Sequence, residues 1–296
     1  MIQRVIAVSI LVAGLLTAGV SQASSASIET QHLSVSDATG SIGDEKLKGL
    51  ADQAQAMLER VLAFWSADSG AERFGKIRVI FDVPRRGNSS CVFYWDGRGS
   101  ERVRVVRVFG FDGAPHMLAH KLTSAVFPQK DKLIRNMMGI LAEVQLGNPL
   151  TFPRCGFGSD DWVLAFVTAG SYIPLSELGP DHESWGMTDA GGGKLMVLDR
   201  ARQHRAYAEA GSFGSSLFQV YGIEKIVQLH RRSQEKQRPW QEVFGVGLQE
   251  LEANWLMALK AREKGREAEV AVVSRLIGGD PRSACMEAQR LTSGRR

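Results

Sequence analysis

Two histidines four residues apart, His116 and His120 in HMLAH, come first among the groups here that could do chemistry, with Glu143 following the second after a gap of 22 residues. Side chains four apart leave one face of a helix, so two such imidazoles and a carboxylate from a second helix have the makings of a zinc site. Hydrolysis also needs a base between the histidines to take a proton from zinc-bound water, and HMLAH offers Met117, which accepts none. Shifting the frame to HKLTS keeps His120 as the first histidine, puts Lys121 where the base belongs and Ser124 where the second histidine belongs, and leaves 18 residues between Ser124 and Glu143. A hydroxyl is a poor neutral ligand for zinc. An ammonium about 5 Å from a dication is repelled by roughly 7 kcal/mol at an effective dielectric of ~20. Neither frame supports ordinary zinc hydrolysis, and two histidines on an apolar helix are more often packed or hydrogen-bonded than metal-bound.

The elements around these residues follow from periodicity. Leu47, Leu50, Ala54, Met57, Leu58, Val61 and Trp65 recur at helical spacing from Glu45 to a stop before residue 67. The period then drops to two in KIRVIFDV, which Pro84 and Gly87 close, and CVFYW with ERVRVVRVFG makes a hairpin across Asp96-Gly97-Arg98-Gly99. Arginines at 102, 104 and 107 slip by one residue, which predicts a bulge near Val105 and Val106. Pro115 opens a helix that Pro128 ends, and a second helix runs from about residue 131 to 146, with Gly147 as its stop. After an irregular middle, residues 201–262 read as helices. The order predicts an α+β fold with a small, mostly antiparallel sheet, paired central helices and a helical C-terminal part. Asp181-His182-Glu183 follows the turn-forming Gly179-Pro180 and reads as a surface loop.

In the HKLTS frame the chain resembles the peptidase MA-like proteins, zinc metallopeptidases of the gluzincin group with a thermolysin-like scaffold. Their motif H-E-L-T-H-x-x-F-P is matched by HKLTSAVFP (120–128), and the later phrase G-W-L-A-E-G-L-A by GILAEVQLG (139–147). SYIPLSEL, AYAEAGSFGSSLFQVYGIEKI and FGVGLQELEANW are similar to further family phrases, so the resemblance covers roughly residues 75–260. It implies a gluzincin scaffold in which His120, Ser124 and Glu143 stand at the metal positions, Lys121 at the catalytic base and Tyr207 near the substrate oxyanion. Of the three metal-ligand roles and the base, two have lost their side chains, at Lys121 and Ser124. If Lys121 and Glu143 face the same cavity, the ammonium is expected to pair with the carboxylate that zinc once held, and Lys121→Met to destabilise the fold.

Arg4, the apolar run of 16 residues from Val5 to Val20 and SQA read as a signal peptide of residues 1–23, cleaved after Ala23; the run is shorter than the ~18–20 residues of a membrane span. The mature chain then carries a net charge of about +3, too little to argue for nucleic acid or an anionic membrane, and HRRSQEKQR reads as a solvated face. Export to the periplasm or beyond predicts one disulfide and one leftover thiol among Cys91, Cys155 and Cys285, with all three pairings open. Residues 24–44 read as a flexible leader, 45–265 as the peptidase-like domain and 266–296 as a tail. The leading expectation is a catalytically inactive, exported pseudopeptidase without cofactor that binds a peptide, protein or envelope partner. One rival is a zinc metallopeptidase using His116, His120 and Glu143. Another is a structural protein whose cleft is filled by its own side chains.

Overall fold

A computed structural model describes residues 27–66, 74–84, 90–111, 116–189 and 195–294. The proposed signal segment and its cleavage point lie outside the described residues.

Five strands form one mixed sheet. Strand β1 (Ser27–Glu29) pairs antiparallel with β2 (Leu33–Asp37), and β2 pairs parallel with β3 (Ile77–Asp82) in the register Leu33↔Ile77. Helix α1 (Asp44–Phe64) makes the crossover between them, burying Leu47, Ala51, Ala54, Leu58 and Val61 on one stripe, with Asp44 and Glu45 in the first turn where the helix dipole favours acids. Strand β4 (Ser90–Asp96) and β5 (Val103–Phe109) form the expected hairpin, and β5 inserts between β3 and β4, parallel to the first and antiparallel to the second. The sheet is thus half parallel, not mostly antiparallel, because β3 runs parallel to both of its neighbours, β2 and β5; residues 27–37 belong to it as well. Expected as a flexible leader, they supply two strands, with Leu33 and Val35 fully buried.

The expected bulge in β5 is absent: its register runs unbroken against both neighbours. As a central strand it is covered on both faces, so Val105 and Val106 are both buried although they point opposite ways. Arg107 crosses to Asp82 on one face at 2.6 Å. Arg104, on the other, donates to the Phe74 carbonyl and stacks over Trp95.

Two helices pack as a hairpin after the sheet, α2 (Leu118–Val126) and α3 (Lys132–Leu146). The Asp131 carboxylate caps α3 by accepting from the amides of Leu133 and Ile134, and Arg238 holds it at 2.8 Å. The middle of the chain, expected to be irregular, contains α4 (Ser159–Thr168) and a two-stranded ribbon, β6 (Met187–Asp189) with β7 (Leu195–Val197). Residues 200–232, α5 (Arg200–Arg232), are two helical stretches that meet at Gly222, whose φ of +77° and ψ of 174° interrupt the helix. Then come α6 (Trp240–Phe244), α7 (Leu248–Arg262), α8 (Glu267–Leu276) and α9 (Pro281–Ser293). Residues 266–296, expected as a tail, provide the last two of these. Val270, Val273, Ala284 and Ala288 join the same core as the sheet and α1, and Arg266 pairs at 2.6 Å with the buried Asp161 of α4. Cys155 and Cys285 form a disulfide that fastens α9 to the segment after α3, while Cys91 of β4 is a buried free thiol.

No helix among the described residues is long and apolar enough to cross a membrane.

Candidate functional site

The hairpin of α2 and α3 brings His120 and Glu143 together, as the sequence frame requires. The contact is of another kind, however. The Glu143 carboxylate accepts a hydrogen bond at 3.1 Å from the backbone amide of His120. Amides in the first turn of a helix have no partner inside it, and Met117, at the N-cap of α2, offers no side-chain acceptor. Glu143 therefore caps α2 from across the hairpin, with its charge at the positive end of the helix dipole. Burial pushes its pKa up to about 7, opposed by the His120 amide, the charge of Arg154, the Asn148 amide and the Thr151 hydroxyl. Gly147 leaves room for this carboxylate: a Cβ there would lie 2.1 Å from Glu143 Oε1.

His120 is fully buried with its ring laid against Gly139, where a Cβ would come within 2.2 Å of Cδ2. Its Nε2 is 3.2 Å from the Lys121 ammonium, and Nδ1 has no hydrogen-bond partner. Burial first, then the charges of Lys121 and Arg135, hold its pKa well below the ordinary histidine value, so the ring is neutral. Ser124 turns its hydroxyl back onto the His120 carbonyl at 3.1 Å, a bond within its own helix. Tyr207, on α5, is buried with its ring 6.2 Å from that of His120 and 5.5 Å from that of Trp185.

The expected ion pair between Lys121 and Glu143 is not formed: among the described residues no carboxylate lies within 4.0 Å of the ammonium. The amide of His120 has taken the carboxylate, and Lys121 turns instead toward His120 Nε2 and the face of Tyr207, 6.0 Å from its centroid. Burial lowers its pKa to about 8.

Helix α2 begins at Leu118, and Met117 has φ −90° and ψ 56°, so His116 precedes the helix and the four-residue spacing does not place both imidazoles on one helical face. The donors of the HKLTS frame do not suit zinc: Ser124 and Glu143 are hydrogen-bonded elsewhere, and an ammonium stands beside His120 Nε2.

No family model, curated protein or solved structure matches the chain.

Three polar residues on α3, Lys132, Arg135 and Asn136, escaped the sequence reading. With Gly139 and Glu143 they recur along the face that α3 turns toward α2 and α5. Lys132 is almost completely buried; its ammonium lies 2.7 Å from His182 Nδ1 and 5.5 Å from the centroid of Trp185. Burial, then the charges of Arg135 and Lys121, lowers its pKa to about 7, against the opposing pull of Asp181 and Glu183. Asn136, beside His120 and Tyr207, is buried with Nδ2 lacking an acceptor. The visible signal was DKLIRN, where a lysine, an arginine and an asparagine interrupt an otherwise apolar helix at i, i+3 and i+4. Asp181 and Glu183 are exposed as a surface loop would have them, but His182 is half-buried and turned inward to Lys132.

Proposed function

We propose that this is an exported, non-hydrolytic protein on a gluzincin-like scaffold, acting by binding a peptide, protein or envelope partner. The observation that carries the reading is the use of Glu143. The side chain that stands at the third metal position caps α2, while the base and second-ligand positions hold an ammonium and a hydroxyl bonded to its own helix. The position of the base holds an ammonium, which takes no proton from water, and the Glu143 carboxylate accepts from the His120 amide.

Support for export comes from the Cys155–Cys285 disulfide, which suits an oxidising compartment. Cleavage after Ala23 would also leave β1, which starts at Ser27, intact.

The test is to purify the protein without chelator, measure bound zinc and follow cleavage of an unstructured protein substrate with and without chelator. The expected result is well under one equivalent of zinc and no chelator-sensitive cleavage. Stoichiometric zinc with cleavage abolished by Glu143→Gln would overturn the reading. N-terminal sequencing of the secreted protein should begin near Ser24, and an intact Met1 on a cytoplasmic protein would overturn the export.

A further inference from the structure

Lys121, Lys132 and Arg135 gather where α2, α3 and the first half of α5 meet: the charge of Arg135 weakens proton binding by both lysines, and that of Lys121 weakens it at Lys132. Three cations drawn together out of water normally bring carboxylates with them. Here, among the described residues, none of the three has a carboxylate within 4.0 Å. The two ammoniums rest instead on neutral partners. Lys121 meets His120 and the face of Tyr207; Lys132 meets His182 and the face of Trp185; the two rings are themselves 5.5 Å apart.

The acids that face the cluster are engaged or remote. Glu143 is bonded to the α2 amide, Asp131 caps α3 and pairs with Arg238, and Asp181 and Glu183 stand on the exposed loop hydrogen-bonded to Ser184 and Thr188. The Cys91 thiol, also near Lys121, is kept protonated by burial. A second, independent feature points the same way: Asn136, between His120 and Tyr207 and only 2 % exposed, has an amide nitrogen with no acceptor. Buried donors are almost always satisfied. One acceptor-rich group would complete all of these at once. Lys121 and Arg135 are only partly buried, which leaves the cluster a route to the surface.

We propose that Lys121, Lys132, Arg135 and Asn136 form a binding site for an oxyanion group of a ligand, a carboxylate or a phosphate, held over the Trp185 and Tyr207 rings. Arginine suits either group, because its planar fork matches two oxygens at once, and the two ammoniums add charge without fixing direction. The site deepens the binding reading above and rests on it.

The experiment uses the full secreted protein in a buffer free of phosphate and sulfate. Three probes are titrated, with unfolding temperature and calorimetric heat as readouts: inorganic phosphate, an N-acetylated tripeptide with a free C-terminal carboxylate, and the same tripeptide amidated. A saturable rise in unfolding temperature with phosphate assigns the site to phosphate ligands; a rise with the free acid and not the amide assigns it to a chain-end carboxylate. Either response should weaken at least tenfold in Lys132→Met and in Arg135→Gln, and persist in Lys260→Met, which removes an exposed cation of α7. Without ligand, Lys132→Met should unfold at a temperature no lower than the parent, since it removes a buried charge that no acid balances. The site is overturned if no probe binds saturably, or if binding is unchanged in both cluster variants. Chelator-sensitive peptide cleavage would instead overturn the binding reading, and that result is separate from the anion titration.

Discussion

Gly139→Ala tests the packing of the helix pair where it is closest. In an exposed helix interior the exchange is favourable by about 1 kcal/mol, because glycine loses more backbone freedom on folding. At residue 139 the new methyl would sit 2.2 Å from Cδ2 and 2.6 Å from Nε2 of His120, inside van der Waals contact with an imidazole that is itself fully buried. The ring has little room to yield: Lys121 lies against Nε2, and Tyr207 and Asn136 pack beside it. Overpacking in such a place costs up to about 3 kcal/mol, so the net effect should be a loss of about 2 kcal/mol. Removing the ring reverses the sign. In a His120→Ala background, Gly139→Ala should stabilise by about the helix-propensity gain of ~1 kcal/mol, giving a coupling of about 3 kcal/mol between the two positions. Urea denaturation of the four proteins of this cycle measures it. If Gly139→Ala stabilises the parent protein, or if the two substitutions prove additive, His120 does not occupy the space against α3 and the arrangement of the site falls.

Three further outcomes can be checked in parallel. Lys121→Met, expected from the sequence to break an ion pair, should instead leave the unfolding temperature unchanged or raise it, since the ammonium has no acid within reach; a fall equivalent to a few kcal/mol would show that it has one. Burial lifts Glu209 to about pH 8 from an ordinary value near 4.5, so the stability its neutral form contributes is complete below about pH 4.5 and is lost as pH rises toward 8. Glu209→Gln can keep the acceptor for the Ile173 amide and should exceed the parent in stability at pH 8 by on the order of 3 kcal/mol, with the difference shrinking toward pH 4.5 in thermal scans. Cys285→Ser opens a link between residues 130 apart in sequence and should cost about 2–4 kcal/mol, with no further effect of reductant on the variant.

The helix at residues 44–64, the helix pair and the sheet hairpin were legible because each carries a clean period of 3.6 or 2. Residues 33–37 carried the period of two as well, in Leu33, Val35 and Asp37, but the serines between them and the short length resembled a leader until β3 supplied the partner that buries them. The arginine slip in β5 was misleading because alternation reports exposure on one face, and a central strand has none to report. At the site, the sequence correctly set Glu143 opposite His120. It could not reveal that a backbone amide, present in every residue and therefore invisible to motif reading, would claim the carboxylate before the lysine did. Lys132 and Arg135 were overlooked for the opposite reason: cations on a helix normally denote its wet face, and only the packed structure shows these turned inward.

Arg154 ties together parts of the chain that are otherwise far apart. Its guanidinium donates to the Glu143 and Asn148 carbonyls, its own carbonyl accepts from the Trp162 indole, and the next residue is Cys155, joined to Cys285. The end of α3, the start of α4 and the C-terminal helix therefore share one junction and should open as one cooperative unit, with α9 detaching only when the cap on α2 is also released. Amide exchange would show this as matched protection of the His120 amide and the amides of α9 in the oxidised protein. Reduction would uncouple the two, so that the redox state of one bond between a buried and a half-buried cysteine sets the opening rate of a helix at the centre of the fold.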